Sequence, residues 1–179
     1  MHRLAPLALL LLAPALPGCL YLLGSAQPSC PGDMSGSSTI SWDGADRTAT
    51  LDPVWLDADP TGSCLTAATG TIEFGQDCSL SFQAEGGGDT LAIFDVNTYG
   101  EDGCGLGDTG WSAADLGASA IAVDGSLTNI GGDESSCFDG TLTVTLDLLL
   151  ENDGAFAEVA GTLTLEGVNI AWFEERPCE

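Results

Sequence analysis

Lysine is absent from this 179-residue chain, its one histidine is His2, and its three basic residues are Arg3, Arg47 and Arg176. Each shortage removes a class of chemistry. Beyond residue 3 there is no imidazole for a Ser–His–Asp or Cys–His triad, and no amine for a Schiff base or a P-loop. There is no histidine ligand for zinc, copper or haem iron. Against the few cations stand 27 acidic residues, all after position 32 and interleaved with apolar ones. Such a potential repels phosphate backbones and anionic lipid surfaces, so no nucleic-acid partner is expected and the folded part should not itself touch a membrane. Hydrophobic residues make up 44% of the chain, too many for an acidic disordered tail. The acids read as a solvated surface over a single sizeable core.

What is present begins at the N-terminus. Met1-His2-Arg3 is a short basic start, and Leu4 to Leu16 is an uncharged apolar stretch interrupted by Pro6 and Pro14. It is too short for an ordinary spanning helix and has the build of a signal-peptide core. It leads into Leu16-Pro17-Gly18-Cys19. That run, with a branched residue three places before a cysteine and a small one directly before it, resembles the lipobox of bacterial lipoproteins. The resemblance implies that residues 1–18 are a signal peptide removed on export and that Cys19 becomes a lipid-bearing N-terminus. Leu20 rather than Asp after the cysteine implies outer-membrane routing. Several acyl chains on one cysteine anchor stably, where one chain is marginal. Membrane contact is then expected through that anchor only. Two other outcomes stay open: cleavage after Ala26, since Gly24-Ser25-Ala26 is a small-x-small site, and retention of the apolar stretch to Leu23 as an uncleaved anchor.

Seven cysteines occur in all, and setting Cys19 aside leaves Cys30, Cys64, Cys78, Cys104, Cys137 and Cys178. An even number in an exported chain predicts three disulfides in an oxidising compartment. No pair has CxxC spacing, which disfavours a redox motif or a zinc knuckle. Six cysteines allow about 15 pairings, among which the sequence does not choose.

Residues 19–37 turn from apolar to Gly-, Ser- and Pro-rich and read as a lipid-anchored tether pinned at Cys30; residues 38–179 read as one acidic β domain. Ile40 and Trp42 alternate with polar neighbours, and Pro53 inside Thr48–Leu56 marks an edge or a bulge. Cys78, Leu80 and Phe82 alternate strictly after a turn at 75–77. Leu91–Val96 is a continuous apolar run, the pattern of a strand buried on both faces. Residues 97–117 read as a long Gly- and Asp-rich loop, with Ser112–Leu116 able to form one helical turn. Leu142, Val144, Leu146, Leu148 and Leu150 alternate with mostly polar residues, and Asn152-Asp153-Gly154 is a hairpin signal. The return strand carries Val159, Leu163 and Leu165, and its apolar phase shifts at Gly167, which predicts a bulge there. No segment has a 3.6-residue period over helical length. The fold class is therefore all-β: a single antiparallel β-sandwich or barrel-like domain, stapled by disulfides.

Two groups of residues are candidates for a site. Asp95, Asn97, Glu101, Asp102 and Asp108 offer hard oxygen ligands close together, as calcium requires; no other cofactor is expected. The spacing is not an EF-hand, because the fifth and twelfth places hold Tyr99 and Leu106. Asp57 with Asp59, and Asp133 with Glu134 and Asp139, are weaker versions of the same idea. Trp42, Trp55, Trp111, Trp172 and Tyr99 could each stack on a sugar ring, but Trp42 and Trp172 sit on apolar faces and belong in a core. Tyr99 and Trp111 fall in the long loop and are the candidates for stacking on sugar rings. A glycosidase needs two placed carboxylates, a condition that 27 acids meet trivially. The expected function is a non-catalytic structural or binding role in the cell envelope. The alternatives are a carbohydrate-binding or calcium-dependent adhesion module, with a glycan or an envelope protein as partner, or a carboxylate-only hydrolase.

Overall fold

The computed structural model describes residues 30, 32, 34–59, 61–75, 78–99, 110–129, 135–173 and 178. Nine strands account for nearly all of them: β1 (Gly36–Trp42), β2 (Ala45–Ala58), β3 (Leu65–Glu73), β4 (Ser79–Gly87), β5 (Thr90–Tyr99), β6 (Ser112–Asp115), β7 (Ala120–Asn129), β8 (Ser135–Asn152) and β9 (Ala155–Phe173). No helix occurs among the described residues.

The period-2 pattern decides which face of each strand is buried. Leu142, Val144, Leu146, Leu148 and Leu150 of β8 point inward, as do Ala157, Val159, Leu163 and Leu165 of β9. The two strands are joined at Asp153-Gly154, both with positive φ (49° and 83°), the two-residue turn that matches strand twist. They stay in register along the whole of β8, from Ser135↔Trp172 to Asn152↔Ala155. Asp43-Gly44, with φ of 49° and 76°, joins β1 to β2 in the same way.

The sheet closes on itself. From β2 an antiparallel meander runs through β3 and β4 to β5. Thr90–Ala92 of β5 pair with Ala120–Ala122 of β7, and β7 pairs with β8 along its full length. The ring returns from β9 to β2 through a short parallel stretch, Leu56–Ala58 against Ala171–Phe173. At the other end β1 wedges between β9 and β2, and β6 between β5 and β8. Hydrogen-bonded closure makes this a barrel-like domain rather than an open sandwich, antiparallel except at β2–β9. Its interior is packed, not hollow: Ile40, Trp42, Leu51, Leu56, Ile72, Leu80, Phe82, Leu91, Ile121 and Phe138 are all essentially inaccessible. Each such side chain contributes about 1.5–3 kcal/mol relative to exposure. Trp42 packs edge-on to Phe74 at 4.9 Å, and the Arg47 guanidinium lies 5.7 Å from the Trp42 ring.

Two bridges join described residues, Cys30–Cys137 and Cys64–Cys178, closing loops of 107 and 114 residues. Loops of that length correspond to about 4–5 kcal/mol each in the chain-entropy account. Cys78 is bridged as well, and Cys104 lies outside the described residues.

Four expectations change. The sheet begins before residue 38: Met34 is fully buried, Ser35 bridges Glu166, and β1 starts at Gly36. Leu91–Val96 is not buried on both faces. Leu91, Ile93 and Val96 point inward, but Phe94 is 48% exposed. The pairing jumps from Gln83↔Asp95 to Ala84↔Ile93, so Phe94 is the extra residue of a bulge. Ser112–Asp115 forms a strand rather than a helical turn, because pairing with β5 and β8 outweighs its weak helical tendency. At Gly167 there is no extra residue: Gly140 pairs with Gly167 and with Gly125 without a register shift. The three glycines form a row across β7, β8 and β9 where backbones crowd. A Cβ on Gly140 would meet the Asp124 carbonyl oxygen and, at 2.5 Å, the Gly125 Cα. By contrast, the irregularity expected at Pro53 is present, as a register shift between Leu51 and Val54.

The obstruction at Gly140 is backbone and cannot swing aside. Gly140→Ala should therefore cost about 1–3 kcal/mol by overpacking. For a domain of this size that is a fall of roughly 2–10 °C in the Tm of the oxidised protein, measured by circular dichroism. An unchanged Tm would show that the row is not sterically closed.

Candidate functional site

A half-open cleft of about 760 Å³ lies at one end of the barrel. It is the concavity that the strand lengths create. The β4–β5 hairpin turns back at Gly88-Asp89, whereas β7 and β8 run on past it to Asn129 and Ser135. The opening between them is bounded by three elements: the loop Gly62–Leu65, the turn Gly88-Asp89, and Val123–Leu127 of β7, with Phe138 beneath. Phe138 is itself buried, and its ring lies against Gly125, where a Cβ would meet Cζ at 2.7 Å. Gly125 thus lets an aromatic ring seal the barrel directly below the cleft.

The loop wall is built around Asp59, the one buried carboxylate among the described residues. Its Oδ2 accepts hydrogen bonds from the Thr61 hydroxyl (2.6 Å) and the Thr61 amide (3.4 Å). Its Oδ1 accepts from the Ser63 and Cys64 amides, the latter at 3.1 Å, and the Ser63 hydroxyl reaches both oxygens at 3.1 Å. The Asp59 backbone closes the same loop, its amide donating to Cys64 O and its carbonyl accepting from Gly62 N. Burial alone would raise the carboxyl pKa. The hydrogen bonds from Thr61, Cys64 and Ser63 outweigh it and hold the group down at about 2. The bridge from Cys64 to Cys178 ties the loop to the C-terminal segment. This wall is thus held by its own hydrogen bonds and by a bridge.

The opposite wall is a sheet edge. Ile93 N–H donates to Ser119 O, and Val123 N–H donates to Asp89 O at 2.9 Å. Odd-numbered residues of β7 therefore direct their backbone groups toward β5, and even-numbered ones toward β8. Val123 is the last rung. Beyond it the amide and carbonyl groups of Gly125 and Leu127 point into the cleft, where no described strand pairs with them. Asp89 and Asp124 are exposed on the rim, and none of the described residues lining the cleft is basic.

The residues singled out from the sequence lie elsewhere. Asp95 and Asn97 stand on β5 at the other end of the barrel, the Asn97 amide donating to Asp95 Oδ2 at 3.0 Å. Their proposed calcium partners Glu101, Asp102 and Asp108 are outside the described residues, as are Asp133 and Glu134. Trp111, expected to be an exposed stacking residue, is buried at 3%. Its backbone pairs with Thr98, N–H to the threonine hydroxyl at 3.1 Å and carbonyl to the Thr98 amide at 3.1 Å, which draws the indole into the barrel. The Tyr99 and Trp172 side chains lie outside the description; Trp42 is in the core as expected. Asp59, Cys64 and Cys178 converge as a metal site would, but both sulfurs are committed to a disulfide and the carboxylate to its loop. The cleft residues were not legible as a site. Only Asp59-Pro60-Thr61-Gly62 carries a local sign, that of a turn capped by an aspartate.

Compared with protein families, curated proteins and solved structures, the chain matches none.

Asp59 has a depressed carboxyl pKa, so its contribution to stability is present above the unfolded value near 4 and is lost as pH falls toward 2. Asp59→Asn places an amide donor against existing donors. It should lower stability at pH 7 by about 1–2 kcal/mol in urea unfolding, with the gap to the parent protein shrinking between pH 4 and pH 2. A pH-independent gap would mean that the charge is not what holds the loop.

Proposed function

We propose that this chain is an exported, lipid-anchored barrel with a non-catalytic binding or structural role in the cell envelope. The observation that carries the reading is the cleft: a concavity of about 760 Å³ whose rim carboxylates Asp89 and Asp124 are exposed and whose buried neighbour Asp59 is saturated with hydrogen bonds. A carboxylate hydrolase needs an acid desolvated in its cleft and a second carboxylate facing it. Binding needs only a rigid, shaped surface. Disulfides across the fold suit an oxidising compartment, and the lipobox-like run ending at Cys19 supplies the anchor.

Expressed in a Gram-negative host and fed an alkyne-bearing palmitate analogue, the chain should take up label and fractionate with the outer membrane. Cys19→Ser should abolish labelling and move the protein to the soluble fraction. A mature N-terminus at Gln27, without label, would overturn the anchored reading.

A carbohydrate-binding role is favoured by a different observation. Trp55 is 57% exposed and stands in register with Thr69, Gln83 and Asp95 across β2, β3, β4 and β5. The neighbouring row is Thr71, Ser81 and Asn97, with the two hydroxyls 3.0 Å apart. An aromatic plane beside short polar side chains is how a sheet face holds a sugar. On this reading, oligosaccharide titration should shift tryptophan fluorescence, and Trp55→Ala should abolish the shift and weaken binding at least tenfold. Titrations with and without calcium separate a direct sugar platform from a metal-dependent one. Binding unaffected by Trp55→Ala would overturn the platform.

A further inference from the structure

We propose that the cleft binds an extended basic peptide by strand addition to the open edge of β7. The inference deepens the binding role proposed above and rests on that reading, but not on the lipid anchor.

Three observations converge. The first is the edge itself. Beyond the Val123–Asp89 rung, the backbone groups of Gly125 and Leu127 face the cleft, and no strand among the described residues pairs with them. An open edge is a template for another strand, and proteins usually blunt one with a proline, a lysine or a covering loop. Residues Asp124–Asn129 contain no proline, and the chain has no lysine.

The second is the shape. The edge faces a wall, Gly62–Leu65, that Asp59 and a disulfide hold in place, so an added strand lies in a preformed slot rather than on an open flank. Main-chain pairing then supplies affinity, and alternate side chains supply selectivity.

The third is the chemistry at each register position. Leu127 pairs with the inward-facing Phe138, so odd residues of β7 face the barrel interior and even residues face outward. A strand added beside β7 sets its residues in the same alternation. Those beside Leu127 lie over Leu65 and Phe138 and favour apolar side chains. Those beside Asp124 point outward toward an exposed carboxylate, with Asp89 at the same rim. The fitting peptide therefore alternates apolar and basic residues. A second copy of this chain is the wrong partner: it would set aspartate near aspartate between two bodies of formal charge −24.

The test uses the full-length, disulfide-bonded chain and a capped Lys–Val alternating octapeptide. A Glu–Val peptide serves as the charge control. A Lys–Val peptide N-methylated at alternate residues removes the amides of one edge while keeping the charge. The Lys–Val peptide should bind at least tenfold tighter than either control in calorimetric titration. In amide hydrogen exchange it should slow Gly125 and Leu127 at least tenfold while leaving Ser126 and Thr128, already paired with β8, unchanged. Asp89→Asn combined with Asp124→Asn should weaken binding and flatten its salt dependence. Leu127→Pro, which deletes one cleft-facing amide, should lose it; the N-methylated peptide gives the same information should that variant fail to fold. Equal binding of the N-methylated peptide, or binding without protection at Gly125 and Leu127, would reduce the interaction to general attraction by an acidic surface and overturn strand addition. Absence of binding would overturn it too. Protection that appears without peptide and grows with protein concentration would assign the edge to self-association and overturn the proposal. Glycan binding at Trp55 and lipid labelling at Cys19 are read independently, so the wider functional reading can survive a failure here.

Discussion

The pairing of β8 with β9 is the contact on which the rest of the barrel depends. Each strand carries a leucine-rich inner face, and each uses its other edge to recruit neighbours: β7 and β6 join β8, while β1 and β2 join β9. Because the two strands meet through a two-residue turn, their register is set locally. That register then decides where both halves of the sheet begin and whether they can meet. One residue of slip would turn Leu142–Leu150 outward and empty the core. In the glycine row Gly125–Gly140–Gly167 the ladder keeps its register, and at Gly125 and Gly140 the neighbouring backbone leaves no room for a Cβ.

Closure is uneven, and the unevenness makes the site. β5 and β7 share three paired positions. The β4–β5 hairpin then ends while β7 and β8 continue, which leaves a gap in the wall and, inside it, a strand edge that no described strand pairs with. The same end of the barrel carries both described bridges and the Asp59 loop. Covalent and hydrogen-bonded reinforcement is thus placed where sheet hydrogen bonding is thinnest. An open edge would ordinarily invite aggregation. On the strand-addition proposal, the acidic surface, with Asp124 on the edge strand itself, would disfavour pairing between copies and favour a cationic strand.

The sequence by itself determined what is local. Period-2 alternation names the buried residues of β8, β9, β4 and β1, because successive side chains of a strand must point to opposite faces. Asn152-Asp153-Gly154 names the turn, because only residues that tolerate positive φ fit it. Pro53 marks an irregularity because it cannot donate to a ladder, and the even cysteine count foretells bridges. Tertiary structure decided everything that depends on a partner distant in sequence. Phe94 is exposed because Gln83 and Ala84 of β4 face one residue fewer than β5 offers. Trp111 is buried because Thr98 captures its backbone, although its sequence neighbours are those of a loop. Gly167 carries no extra residue because it pairs one-to-one with Gly140, which in turn pairs with Gly125. The pairing of Cys30 with Cys137 and Cys64 with Cys178, the choice of barrel over sandwich, and the cleft itself follow from which strands end early and which run on. Those lengths are settled by hydrogen bonding between elements, a property of pairs that one strand's own residues do not encode.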